Sequence, residues 1–462
     1  MLFRSRPGAI QLQVSSSRGF RGAVRTFALR ALPADDLTVQ ARVARLSSGA
    51  RYWYRFVQGG VRSSLGAFET APSGSTDTKV RFAFSGDADA TPKRNGQPGF
   101  NHFEVYARMA AEGNDFNVNL GDTIYSDSAV AGSKPARTVA PKWEKYRLGL
   151  ALHDLRRLRA ATGLYSQWDD HEFVNDFSRP EDGDALYTAG VKAFRDYSPV
   201  TYSPSLGLYR SVRWGKNLEL FFLDERSFRS AEAANACGGD LAPTAPQTVR
   251  NALVRFAPGL ASTISQACLA ALDDPSRTML GAAQYAAFTQ AIQASTATFK
   301  VVVNEVPIQQ FYALPYDRWE GYAAERDRLL HFLQASVENV VFLTTDVHAT
   351  LMNEVRFQTL GAPVAGTGMW EVSTGPVAAV PFAQEIDRGL HSKGAGALLG
   401  SLFFKPPPPS GLGMRCAALD TPSYGEVTVT AKTLTVAPKD VQGRPVKDQT
   451  GSPCAPLVVQ AR

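Results

Sequence analysis

The sequence predicts an α/β (α+β) protein: a small all-β segment followed by a larger body in which strands and helices alternate. Three observations carry this. Residues 1–72 alternate apolar and polar side chains at period two, with turn residues between the runs. From residue 80 onward, short apolar runs alternate with helical patterns, the signature of sheets covered by helices. Several of those apolar runs end in acidic or metal-capable residues, and in an α/β fold such strand ends share one edge.

In the first segment, "AIQLQV", "AVRTFALRAL", "LTVQARVARL" and "RYWYRFVQGG" read as strands, and "PSGSTDTK" as the linker out of it. In the body, "VRFAFSGD" and "DFNVNLGD" read as buried strands on either side of a helix over "GFNHFEVYARMAAEG". "KWEKYRLGLALHDLRRLRAAT" is a basic amphipathic helix and "GLYSQWDD" a strand. "LELFFLDER", "TFKVVVNEV" and "NVVFLTTDVH" are strands interleaved with the helices "GAAQYAAFTQAIQAS" and "YAAERDRLLHFLQAS". "YGEVTVTAKTLTVAPKD" returns to β structure, and "PPPPS" marks a loop.

The 462 residues suffice for a large core and more than one domain. The net charge of +6 is spread without a Lys/Arg block, which suits small anionic substrates and argues against nucleic-acid recognition. No apolar run approaches the roughly 20 residues of a bilayer span, and the N-terminus has no signal-type apolar stretch. The chain opens directly on a strand, so a signal is expected upstream of it, if anywhere. The four cysteines, 237, 268, 416 and 454, lack metal-type spacing. The local pairing 237–268 and 416–454 is one of three connectivities, and buried free thiols are the alternative. Two disulfides would favour an oxidising compartment.

The polar chemistry collects at five strand ends: Asp87 and Asp89 after "RFAFS", Asp122 with Tyr125 after "FNVNL", Asp169, Asp170 and His171 after "GLYSQW", Asn304 and Glu305 after "FKVVV", and Asp346 with His348 after "VVFLT". Convergence would put Asp87, Asp122, Asp170, Asp346 and His348 in one pocket. Carboxylates that close hold raised pKa values unless cations offset them. Oxygen ligands with an imidazole and a phenol suit Ca²⁺, Mn²⁺, Zn²⁺ or Fe³⁺. Taken singly, Gly-Asp is a common turn, Asp87 and Asp89 are possible caps for the next helix, Tyr125 is a possible loop anchor, and His348 a core histidine. His102, His153, His331 and His391 lack the strand-end setting and read as structural.

"RFAFSGDAD", "LGDTIYSD", "WDDHEFVND", "LDERSFRS", "TMLGAAQ", "RWEGY" and "LTTDVHA", in that order, resemble the PhoD-like alkaline phosphatase/phosphodiesterase family of the binuclear metallophosphoesterases. The resemblance covers residues 80–440 and implies a four-layer α/β/β/α sandwich over 80–462. Residues 1–72 resemble the family's N-terminal fibronectin/Ig-like β-sandwich without its opening strands. The implied roles are Asp122 as bridging carboxylate, Tyr125 as phenolate ligand, Asp346 and His348 as ligands of the last strand, and Asp170 as ligand. His171 would stabilise the leaving oxygen, and Asn175 would contact metal or phosphate. Arg226 is a phosphate clamp or, equally, the partner of Asp224; Asp154 is a weaker candidate ligand. Asp87 stands where the family often has cysteine, and Thr345 where glycine often precedes the aspartate.

The implied cofactors are two or more metal ions, Fe³⁺ and Ca²⁺ by resemblance, with Zn²⁺ or Mn²⁺ admitted by Asp87. The implied activity is phosphoric mono- or diester hydrolysis by a water activated between cations, attacking phosphorus in line. The implied location is secreted or periplasmic. Trp143, Phe311, Tyr312, Tyr316, Trp319 and Tyr322 form either an apolar rim, favouring diesters, or ordinary packing. Two competing classes are a calcium-stabilised extracellular binding protein without turnover and a metal-dependent nuclease. Oligomeric state and physiological substrate are not written in the sequence.

Overall fold

The computed structural model describes residues 5–254, 257–360 and 363–462. Residues 8–69 form one five-stranded antiparallel sheet, ordered Val24–Ala31, Gly8–Ser15, Arg51–Gln58, Val61–Arg62, with Gly66–Glu69 also paired to Arg51–Gln58. Ile10, Leu12 and Val14 alternate onto one face, where Tyr52, Tyr54 and Phe56 meet them. "LTVQARVARL" joins no ladder, unlike the strand its alternation predicts. Left-handed backbone at Asp36, Leu37 and Arg45 breaks the extended run. Val39, Ala41, Val43 and Leu46 still pack on the sheet's apolar face, so the period-two signal there reports burial without pairing. Asp36 binds Arg147 at 2.6 Å and the Tyr197 hydroxyl, and Asp35 binds Lys192 at 2.9 Å, fastening this sheet to the body.

The body contains two facing sheets. The six-stranded one runs Leu457–Gln460, Thr433–Asp440, Ser423–Val429, Val80–Ser85, Phe116–Asn119, Gly163–Ser166. The seven-stranded one runs Cys416–Ala418, Thr350–Gln358, Ala365–Ser373, Val340–Thr344, Phe299–Val303, Leu218–Phe222, Arg210–Trp214. One apolar cluster joins Phe82, Phe84 and Val118 of the first to Leu220, Val301 and Val341 of the second, so it lies between the sheets. The outer face of the seven-stranded sheet is covered by Gly281–Ala294 and Ala323–Ser336 through Phe288, Ile292 and Leu329. The outer face of the six-stranded sheet is covered by Glu104–Ala111 and His153–Ala161 through Val105, Tyr106 and Leu158. The result is the expected α/β/β/α sandwich. Strands buried on both faces explain runs such as "FKVVV", which carry no alternation.

The single helix expected over 142–162 is two helices, Val139–Ala151 and His153–Ala161, broken at the extended Leu152. Tyr146 points into a cluster with Trp168 and Phe194, whereas Leu155 and Leu158 join the layer under the six-stranded sheet. One straight stripe cannot serve both. The cysteines form the local pairs Cys237–Cys268 and Cys416–Cys454. The second ties strand Cys416–Ala418 of one sheet to the approach of Leu457–Gln460 in the other. Closing loops of 31 and 38 residues, each contributes about 3–4 kcal/mol in the chain-entropy account. No helix among the described residues is long and apolar enough to cross a membrane.

Candidate metal centre

The strands Val80–Ser85, Phe116–Asn119 and Gly163–Ser166 are mutually parallel, as are Leu218–Phe222, Phe299–Val303, Val340–Thr344 and Ala365–Ser373. Their carboxyl ends therefore deliver Asp87, Asp122, Asp169–His171, Arg226, Asn304 and Asp346–His348 toward one region. Asp87, Asp122, Asp346 and His348 all have left-handed backbone, with φ of 63°, 49°, 68° and 48°. Such backbone turns the chain sharply off the strand, and aspartate tolerates it better than most residues. Gly121 precedes Asp122 at φ 141°, and a Cβ there would lie 2.6 Å from the Asp169 Cβ, so the close approach of these two strand ends requires glycine.

Three groups form in which one ligand atom from each residue lies within 4.8 Å of the others: Asp87–Asp122–His348, Asp122–Asp170–His171, and Asp169–Asp170–Asp346. Asp122 and Asp170 each belong to two of them. The Tyr125 hydroxyl is 2.7 Å from His348 Nε2, and its ring stacks on His171 with centroids 4.0 Å apart. His348 Nδ1 donates to the Val380 carbonyl at 2.8 Å and faces Glu385 at 3.1 Å, leaving Nε2 turned to the site.

The electrostatics record an excess of negative charge. Burial, then the neighbouring Asp170, holds Asp122 well above the usual carboxylate range. Burial likewise raises Asp169 and Asp346, with acidic neighbours adding to it and Arg226 opposing. Burial disfavours a charged His171, yet Asp170 and the hydrogen bond to Asp127 override it and push it up to about 10. Buried polar atoms are also left without a hydrogen bond among the described residues: Asp169 Oδ2, Asp170 Oδ1, and both amide atoms of Asn304. Orphaned ligand atoms and mutually repelling carboxylates in one pocket are what cations relieve, so these residues fit metal ions. All four cysteines are in disulfides, so the available donors are oxygen and nitrogen.

The remaining predicted residues divide. Arg226 is fully buried, and its guanidinium binds Asp169 at 2.5 Å and Asp317 at 2.5 and 3.1 Å, with Asp346 3.7 Å and Asp170 3.8 Å away. Asp224, its expected alternative partner, is bonded by the Arg226 backbone N–H rather than the guanidinium, and its carboxylate is taken up by Trp168, Leu208 and Ser227. Asn175 is exposed, its backbone N–H donating to Asp127, and its side chain makes no hydrogen bond among the described residues. Asp154 pairs with its exposed neighbour His153 and is a member of none of the three groups. Glu305 is taken up by Gln167 and the Glu225 N–H, which leaves Asn304 as the open side chain at that strand end. Neither Asp87 nor Asp89 caps the following helix, whose N-cap is Phe103; Asp89 binds the Thr91 N–H and Ser128. Glu172, beside His171, braces backbone at Thr123 and Asp169.

The aromatic rim is not there. Phe311, Tyr312, Trp319 and Tyr322 are core residues, Tyr316 is 7% exposed with its hydroxyl on the Asp240 carbonyl, and half-buried Trp143 binds Asp196. Big aromatics in a loop read alike whether they face solvent or core, and the packing demand of the layer above the sheet decided it.

Sequence reasoning assigned no role to Asp127, Asp317 or Glu385. Asp127 matters most: its Oδ1 is 2.6 Å from His171 Nδ1 and its Oδ2 accepts the Asn175 N–H at 2.8 Å, which aims the imidazole's Nε2 at the site. The signal was its place two residues after Tyr125 in "LGDTIYSD". Lys142, fully buried, ties the same loops by donating to Ser126 and to the Glu172 and Phe173 carbonyls. Asp127→Asn is expected to lower kcat/KM on phosphate esters by about 10–100-fold, the usual cost of a lost orienting partner, with metal content unchanged.

Two facing sheets whose strand ends gather shared carboxylates, a phenol and imidazoles define a metallophosphoesterase-type protein. Residues 94–398 match the family described as PhoD-like phosphatase, and residues 3–72 match the PhoD-like phosphatase N-terminal domain. The chain belongs to the PhoD-like phosphatase family. It is 26% identical over 376 residues to alkaline phosphatase D of Bacillus subtilis (strain 168), a match covering 74% of this chain and 58% of that protein. A solved structure titled "Structure of PhoD" superposes with a TM-score of 0.73 at 20% identity, covering 99% of this chain and 86% of that one. Purple acid phosphatase PPD1 from yellow lupin (Lupinus luteus) seeds superposes at 0.57 and 11% identity, covering 98% and 70%.

Proposed function

We propose that this protein is a metal-dependent phosphoric ester hydrolase of the alkaline phosphatase D type. The observation that carries the reading is the trio of overlapping ligand groups sharing Asp122 and Asp170. Bound cations would supply Lewis-acid charge and lower the pKa of a water toward neutrality. Asp87, Asp122, Tyr125 and His348 would hold one ion; Asp122 with Asp170, or Asp169, Asp170 and Asp346, would hold the others. Fe³⁺ and Ca²⁺ follow from the family likeness, and Zn²⁺ or Mn²⁺ suit the same oxygen and nitrogen donors. Asn175 remains a proposed contact of metal or phosphate.

His171, held through Nδ1 by Asp127, has Nε2 free to donate to the leaving oxygen. Arg226, committed to Asp169 and Asp317, keeps those carboxylates in place and adds positive charge beside Asp170 and Asp346, rather than reaching for phosphate. With those aromatic residues in the core, they form no rim that would favour diesters over monoesters, and the substrate class proposed is small phosphate esters of either kind. The two disulfides support a secreted or periplasmic location.

The experiment is elemental analysis of the purified protein with turnover of p-nitrophenyl phosphate and its bis-ester before and after chelation. Activity lost with the metals and restored by their return is expected; full turnover by demetallated protein would defeat the reading. The metal-free protein should also lose stability as pH rises. Burial raises Glu225 and Glu371 to about 7, so the folded chain binds more protons than the unfolded chain above about pH 4. Its melting temperature should therefore fall from pH 5 to pH 8, and the gain on adding metal should be larger at pH 8.

A further inference from the structure

Asp87 needs more than proximity to act as a ligand, because a carboxylate rotating freely presents no fixed oxygen. Thr345, 0% exposed, lies directly against it, with Oγ1 2.7 Å from Asp87 Oδ2. Among the described residues the other oxygen, Oδ1, accepts a hydrogen bond only from the Asp346 backbone N–H, at 3.3 Å. Two glycines make room for this pair. A Cβ on Gly375 would lie 2.3 Å from Asp87 Oδ2 and 3.1 Å from Thr345 Oγ1, and one on Gly86 would lie 2.8 Å from Thr345 Cγ2. The Thr345 hydroxyl has one proton and two acceptors in reach, Asp87 and the Thr374 carbonyl at 3.0 Å. An ionised carboxylate is the stronger acceptor, so the proton goes to Asp87.

We propose that Thr345 is a positioning residue of the metal centre: its hydroxyl anchors one Asp87 oxygen and leaves the other to ligate the cation shared with Asp122, Tyr125 and His348. This rests on the metal reading proposed above. Thr345 touches none of Asp169, Asp170 or Asp346 by side-chain hydrogen bond, so its effect is confined to the group that contains Asp87.

The test uses the full chain stripped of metal and titrated with Fe³⁺ as a soluble chelate. The visible ferric–phenolate band reports binding beside Tyr125, and Tyr125→Phe removes it as a control. Thr345→Val keeps the side-chain shape and removes the hydroxyl. It should weaken Fe³⁺ binding by about 10–100-fold, while Thr345→Ser stays within about threefold of wild type. Thr345→Ala should behave as Thr345→Val does and serves if the valine variant does not fold; melting of each metal-free variant verifies folding. If Thr345→Val or Thr345→Ala binds like wild type while Asp87→Asn loses the band, the Thr345 role is overturned and the metal reading stands. If wild type itself develops no band and takes up no iron, the Fe³⁺ assignment at Tyr125 and this role fall together.

Discussion

Replacing Asp122 with asparagine should lower kcat/KM on phosphate esters by about 10³-fold, ~4 kcal/mol of transition-state stabilisation, and release bound metal at the same time. No other single change is expected to do both so completely. Asp122 sits at the end of Phe116–Asn119, is 1% exposed, and belongs to both the group with Asp87 and His348 and the group with Asp170 and His171. Asparagine preserves the shape and the acceptor for the His171 backbone N–H, which Asp122 Oδ1 binds at 3.1 Å, so the local fold survives. What is lost is the negative charge that two cations would share. Metal stoichiometry and steady-state kinetics on the same preparation check this, and a variant retaining both metal and rate would remove Asp122 from the centre of the scheme.

Arg226→Met should cost about 3–5 kcal/mol of stability in the metal-free protein, measured by denaturant unfolding. Among the described residues its guanidinium is the one cation that binds Asp169 and Asp317 together, all three being buried or nearly so, and it lies within 4 Å of Asp170 and Asp346. Removing it strands carboxylates that burial and mutual repulsion already hold above their ordinary range. Methionine fills most of the volume, so the loss measured is chiefly electrostatic. Added metal should recover part of it, since cations at Asp169–Asp170–Asp346 would offset the same charge. An unchanged unfolding midpoint would show that the acids do not depend on Arg226.

How much of this was legible without coordinates depends on what kind of information each feature needs. The positions of Asp87, Asp122, Asp170, Asp346 and His348 were readable because each follows an apolar run whose direction and burial are local properties. Glu305 and Asn304 could not be separated in the sequence, since both are polar residues at one strand end. Only the arrival of Gln167 and Glu225 at Glu305 left Asn304 open. Arg226 was placed at the site but given the wrong alternative partner: Asp224 is two residues away in sequence, whereas Asp317, which it binds, is 91 away.

The sequence alone determined the layers and the acid-rich edge, because buried parallel strands must be apolar and their ends must be polar enough to leave the core. The tertiary structure decided which oxygens and nitrogens meet. It folded "LTVQARVARL" onto a sheet without joining it, sent the aromatic loop inward, and brought Asp127 to His171 and Thr345 to Asp87. These are contacts between segments far apart in the chain. Their energies depend on burial and distance, which no local pattern of residues records.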